Sequence, residues 1–114
     1  MRDLPSLAIT IVTYNSAHYI SRCVESIERQ DYPDKRIIIV DNQSSDSTRN
    51  ILEPLRSRYQ IVYNDQNTGF AAAQNQAIRY SYAKWVLVLN PDVLLSPNFL
   101  RNLVITGEAS GAVG

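Results

Sequence analysis

The chain has 114 residues, 45% of them apolar and 19% charged, enough for one folded domain with a core of its own. Its 11 Lys and Arg balance 11 Asp and Glu, which argues against a nucleic-acid partner held by counterion release and against charge-driven anchoring to an anionic membrane. One cysteine, Cys23, excludes an intrachain disulfide and a cysteine-built metal site, and no apolar run approaches the roughly 18 residues of a membrane span, so a soluble cytoplasmic protein is expected.

Leu7 to Val12 is almost continuously apolar, which suits a strand buried on both faces of a parallel sheet. Ile20, Cys23, Val24 and Ile27 then fall at i, i+3, i+4 and i+7 and define the buried stripe of a helix. Arg36 to Val40 is a second strand. Asp46 or Ser45 can cap a helix carrying Ile51, Leu52 and Leu55, which Pro54 must kink or shorten. Gln60 to Tyr63 is a third strand. Phe70 to Tyr82 is an alanine-rich helix whose Ala73 and Ala77, one turn apart, allow close approach to a sheet. Trp85 to Leu89 is a fourth strand, and Ser96-Pro97 reads as an N-cap and first helical position opening Asn98 to Val104. Trp85, Phe99 and Tyr59 are expected to pack. Gly111 to Gly114 is either a frayed tail or the start of a further strand, in which case the chain is a fragment of a longer fold. The alternation predicts an α/β architecture with right-handed crossovers.

Ligands of open parallel sheets bind outside the carboxyl ends of the strands, where the strand order reverses. The four ends carry Thr13-Tyr14-Asn15-Ser16, Asp41 to Asp46, Asn64 to Gly69, and Asn90-Pro91-Asp92, all rich in short oxygen and amide side chains and free of Lys and Arg. Turn chemistry accounts for part of that pattern. The four glycines, at 69, 107, 111 and 114, cannot write either G-x-G-x-x-G or G-x-x-x-x-G-K-[ST], which excludes a dinucleotide fingerprint and a P-loop. A receiver-type phosphoacceptor domain would need acids after the first strand, and Thr13-Tyr14-Asn15 supplies none. A diphosphate bound at lysine-free strand ends needs a counter-cation. Mg²⁺ or Mn²⁺ with oxygen ligands would serve, and Asp92 can supply a carboxylate or simply close its turn. Asp41 can accept the imide N–H of a pyrimidine or close an Asx-turn.

Together these segments resemble the nucleotide-sugar-binding half of family-2 glycosyltransferases, which have the GT-A fold. The matching stretches are Ile9 to Ser16, Ile38 to Asp46, Asn67 to Asn75 and Leu87 to Asp92, in the family's order and spacing. The Val-Asp-Asn and Asn-Pro-Asp variants are most similar to a rhamnosyltransferase-like branch, which implies a UDP- or dTDP-linked donor. The resemblance implies a Rossmann-like, mostly parallel sheet flanked by helices and ending after the fourth strand and its helix. It places Thr13, Tyr14 and Asn15 at the nucleoside, Asp41 at the base, and Asn67, Gly69 and Asn75 around the nucleotide. Asp92 becomes the metal acid. Asn90 stands where the commoner Asp-x-Asp signature has its first aspartate, and so serves either as a weaker metal ligand or toward the sugar hydroxyls.

The implied reaction is inverting transfer of a sugar from a nucleoside diphosphate to a hydroxyl of a saccharide or lipid-linked acceptor, with metal assistance. The full-length protein would then work in the cytoplasm, peripherally at the membrane. The family's general base lies on a later segment, and neither Glu108 nor His18 is a credible replacement. Without it the chain reads alternatively as a binding module or pseudoenzyme without turnover. A chain that stops here leaves the fourth strand as an open edge, which predicts self-association into a homo-oligomer.

Overall fold

A computed structural model describes residues 4–110. The four strands β1 (Leu7–Thr13), β2 (Lys35–Asp41), β3 (Gln60–Tyr63) and β4 (Trp85–Leu89) form one sheet in the order β3-β2-β1-β4. All three pairings are parallel, with Thr13 opposite Asp41 and Asp41 opposite Tyr63. The chain therefore steps outward from β1 to β3 and returns across β1 to β4. The order reverses between β1 and β4, where the expected crevice opens.

Handedness explains where the helices lie. Right-handed crossovers put α1 (Ile20–Glu28) and α2 (Thr48–Leu52) on one face and α3 (Phe70–Arg79) on the other. The larger core gathers Leu7, Ile9 and Ile11 of β1 with Ile20, Cys23, Val24 and Ile27 of α1, Leu52 of α2, and Leu100 and Val104 of α4 (Phe99–Ala109). The opposite face joins Ala8, Val12, Ile38 and Val40 to Ala73 and Ala77, whose small side chains let α3 sit close to the strands. Alternate β1 residues thus serve different cores, and all seven are buried.

The strands lie within a residue of expectation, but the helices moved more. After Leu52 the chain tightens into a 3₁₀ turn, Glu53–Ser57, because Pro54 has no N–H to continue the α-helical ladder. Neither Asp46 nor Ser45 is the N-cap of α2: that position is Ser47, whose side chain makes no capping bond, and Asp46 instead accepts the Thr48 N–H at 2.9 Å in the turn before the helix. Helix α3 ends at Arg79, three residues before Tyr82. Ser96 and Pro97 stay outside α4. Its N-cap is Asn98, in the left-handed region at φ 67, and the helix runs on to Ala109. Trp85 and Tyr59 pack against the core, while Phe99 stays 37% exposed. The Gly111 to Gly114 stretch lies outside the described residues. No described helix is long and apolar enough to cross a membrane.

Candidate nucleotide-binding site

The ends of β1, β2 and β3 are tied by one carboxylate. Asp41 is fully buried. Its Oδ1 accepts the Thr13 hydroxyl at 2.7 Å and the Ser44 hydroxyl at 2.6 Å. Its Oδ2 accepts the Ser44 N–H at 2.9 Å and Arg49 Nε at 2.7 Å. Burial opposes ionisation here, but the bonds from Ser44, Arg49 and Thr13 more than offset it and hold the carboxyl below its usual range. Arg49 reaches on to the Asn64 carbonyl at 2.6 Å, and its guanidinium lies 4.9 Å from the centre of the Tyr63 ring. Three residues beyond the polar stretch after β2, Arg49 could not be assigned to a strand end by sequence position. The α2 turn brings it there.

That arrangement changes what Asp41 and Thr13 can do. Neither lines the cavity described below, and both oxygens of Asp41 are already engaged. In this structure the Asp41 carboxylate makes internal contacts, to Thr13, Ser44 and Arg49. Asn15 is also internally engaged. At φ 48 its Oδ1 accepts the N–H groups of Ser45 and Asp46, at 2.8 and 3.3 Å, and its own N–H donates to the Ser44 hydroxyl at 2.8 Å. It fastens the loop after β1 to the loop after β2. Asn75 is exposed on α3 and also lies away from the cavity wall.

At the switch point lies a cavity of about 320 Å³ lined by Val12, Tyr14, Ser16, Asn42, Asn67, Phe70 and Pro91. That volume suits a small-molecule ligand. One cavity thus joins the residue after Asp41 to the residue before Asp92, and Tyr14 and Asn67 stand in its wall. Gly69 lies between the lining residues Asn67 and Phe70. Its φ of 87 would strain any side chain, although a Cβ there would meet no other atom within 4 Å. Tyr14 and Phe70, each 53% exposed, offer aromatic surface to a planar ring. Every lining side chain is uncharged near neutral pH. Ser16, Asn42 and Phe70 also line the cavity, which their places in the sequence motifs do not single out. Phe70 reaches the cavity because the Gly69 turn opens α3 there.

The Asn90-Pro91-Asp92 turn and the segment after it are held by α1 and by Gln30, just past its end. The Cys23 thiol is 3.8 Å from the Asn90 carbonyl, the Ser26 hydroxyl accepts the Leu95 N–H at 3.1 Å, and Gln30 bridges the Ser96 carbonyl at 2.7 Å and the Leu100 N–H at 3.0 Å. Burial, with the nearby Asp92 charge, pushes the Cys23 thiol up to about 11. Asp92 and Asn90 are exposed at this turn, open to a ligand. Among the described residues no three His, Cys, Asp or Glu side chains gather to hold a metal ion unaided. One open carboxylate beside an amide fits a cation that brings most of its oxygen ligands from a bound diphosphate. Glu108 lies within 3.3 Å of Lys84 Nζ, which precedes β4 at the opposite end of the sheet, and His18 is exposed.

A family model described as glycosyl transferase family 2 matches residues 8–113. The chain belongs to the family-2 glycosyltransferases. Among curated relatives, the Rhizobium meliloti succinoglycan biosynthesis protein ExoO is 29% identical over 96% of this chain and 32% of its own length. An Escherichia coli protein, WfgD, named as a UDP-Glc:alpha-D-GlcNAc-diphosphoundecaprenol beta-1,3-glucosyltransferase, is 32% identical over 83% of this chain and 38% of its own length. The chain thus spans about a third of the length of these relatives. The fold matches the crystal structure of S. aureus TarS with UDP at TM-score 0.81 and 24% identity, covering 91% of this chain and 32% of that one. It also matches the Pyrobaculum calidifontis mannosyltransferase PcManGT with GDP-Man and Mn²⁺, at TM-score 0.77 and 25% identity, over 83% and 30%. This likeness gives the family-2 chain the GT-A fold.

Proposed function

We propose that these residues form the donor-binding part of a longer glycosyltransferase that moves a sugar from a UDP- or dTDP-linked donor to a hydroxyl, inverting the anomeric centre. The observation that carries this reading is the single cavity running from the β2 end to the Pro91 turn, with two half-exposed aromatic rings in its wall and an open carboxylate next to it. Tyr14 and Phe70 would hold the base by its faces. Asn67, whose Oδ1 already accepts the Gly69 N–H at 2.8 Å, would turn its NH₂ toward the base or ribose. Asp92, with Asn90 beside it, would hold Mg²⁺ or Mn²⁺ together with the diphosphate. That cation supplies charge neutralisation at the leaving group. The GDP-Man and Mn²⁺ in the PcManGT structure and the UDP in the TarS structure support a nucleotide-sugar donor with a divalent cation. A saccharide or lipid-linked acceptor, such as the diphosphoundecaprenol in the WfgD name, would bring the whole protein to the cytoplasmic membrane surface.

A second reading is favoured by the acids themselves. None lines the cavity, and Glu108 is paired with Lys84 at the far end of the sheet. Alone, the chain would then bind a nucleotide sugar without turning it over, because no general base is at hand to deprotonate an acceptor. Isothermal titration of UDP and dTDP, with and without Mn²⁺, tests both readings. Metal-enhanced binding of either nucleotide is expected, and failure of both to bind would overturn the assignment. Sugar transfer or donor hydrolysis by these residues alone would refute the second reading. The exposed edge of β4, with Val88 45% exposed, would pair with another strand, and a monomeric light-scattering profile would oppose that.

A further inference from the structure

The side chain of Asn42 is 2% exposed, yet it lines the cavity and is saturated with partners from one loop. Its Nδ2 donates to the Gly69 carbonyl at 3.1 Å and to Asn67 Oδ1 at 3.0 Å. Its Oδ1 accepts the Thr68 N–H at 3.0 Å, the Thr68 hydroxyl at 3.2 Å and Asn64 Nδ2 at 3.3 Å. Two of these partners are backbone groups of fixed polarity, a carbonyl and an N–H, so the amide can face only one way round. Its own N–H, donated to the Thr13 carbonyl at 2.9 Å, anchors it to the sheet.

We propose that Asn42 is the positioning residue of the nucleotide site: its carboxamide locks the loop over residues 64–69 so that Asn67 and Phe70 stand in the cavity wall, a task that a carboxylate at this position cannot perform. The proposal rests on the nucleotide reading above and assigns it a part that neither Asp41 nor Asp92 can play. The loop is carried by an edge strand of only four residues and has little core of its own. Asn67, Thr68 and Gly69 converge on Asn42, as does Asn64. The start of the loop is also held by the Asn64–Gln76 pair at 2.9 Å both ways, by Arg49 on the Asn64 carbonyl, by Gln43 on the Asp65 carbonyl and by the Asn64 N–H on the Asp41 carbonyl. An aspartate would keep the acceptor half of this arrangement. It would also set a negative oxygen about 3 Å from the Gly69 carbonyl and Asn67 Oδ1, where like dipoles repel. Only the protonated acid could restore one donor.

The test compares Asn42→Asp with the unaltered protein by UDP titration with Mn²⁺ at pH 8 and pH 5. The ratio of the two Kd values cancels titration of the nucleotide itself. At pH 8 the variant should bind at least tenfold more weakly, and the ratio should fall severalfold by pH 5 as the buried carboxyl protonates. Equal affinities at both pH values, or an equal deficit at both, overturn the proposal, the second because a purely structural loss has no reason to titrate. Hydrogen exchange of the Thr68 amide in ligand-free protein, with Asn42→Ala as second variant, separates this idea from the nucleotide reading. Loss of Thr68 protection in the alanine variant supports the lock even if UDP binds neither protein, an outcome that would remove the nucleotide reading alone. Unchanged Thr68 protection overturns the lock.

Discussion

Asp41 and Arg49 meet at 2.7 Å between a fully buried carboxylate and a guanidinium that is 36% exposed, and the pair binds the ends of the second and third strands together. Removing one partner of a buried ion pair costs ~3–5 kcal/mol because the other charge is left uncompensated. Here solvent reaches Arg49, and Asp41 keeps three other hydrogen bonds. Arg49→Met should therefore destabilise the fold by about 1–2 kcal/mol in urea unfolding. Arg49→Lys should recover little, since one ammonium cannot reach both Asp41 and the Asn64 carbonyl with the same fork.

The lowered acidity constant of Asp41 also sets a direction for acid stability. A carboxyl held below its unfolded value of about 3.9 contributes stability that is complete above that pH and is lost as the pH falls through the folded value. Asp41→Asn should be less stable than the parent at pH 7, and the gap in Tm should close as the pH is lowered from 5 toward 2. A gap that stayed constant across that range would show that Asp41 is not ionised in the folded protein.

Base stacking on aromatic rings is worth ~1–3 kcal/mol per base by alanine substitution. Tyr14→Ala and Phe70→Ala should each weaken UDP binding roughly 5- to 150-fold. Both rings are half exposed, so Tm should hardly move. Calorimetry together with a thermal melt separates the two effects.

Asp92 is exposed and outside the core, so Asp92→Ala should change stability by no more than about 0.5 kcal/mol. It should nevertheless abolish the increment in UDP affinity that Mn²⁺ provides, while leaving the metal-free affinity in place. A variant whose response to Mn²⁺ matched the parent would place the cation elsewhere.

Cys23 should be chemically silent in the folded chain. With its thiol pushed up to about 11 by burial and the Asp92 charge, about one molecule in a thousand is thiolate at pH 8, and the sulfur is inaccessible. A thiol reagent such as dithionitrobenzoate should leave it unmodified until denaturant is added. Neutralising Asp92 should change that little, since burial is the larger cause.

Much of this molecule could be read before folding. Strand positions followed from nearly continuous apolar runs, and the parallel α/β layering followed from their alternation with helical stripes, because the burial of apolar surface acts residue by residue. That Tyr14, Asn67 and Asp92 lie just beyond strands was legible too, because polar residues follow each apolar run. Helix ends were less legible. Ser96-Pro97 has a starting signature, yet α4 begins after Asn98, where Gln30, just past the end of α1, accepts the Leu100 N–H.

What only the tertiary structure decided is which polar side chains are spent on the fold and which are left for a ligand. Asp41, Asn42 and Thr13 sit together at strand ends and look alike in a sequence. Their hydrogen bonds go to Arg49, Ser44 and a loop more than twenty residues away, partners that chain order cannot name. A polar group's availability depends on every donor and acceptor within about 3 Å, and that neighbourhood exists only once the sheet has brought distant segments together.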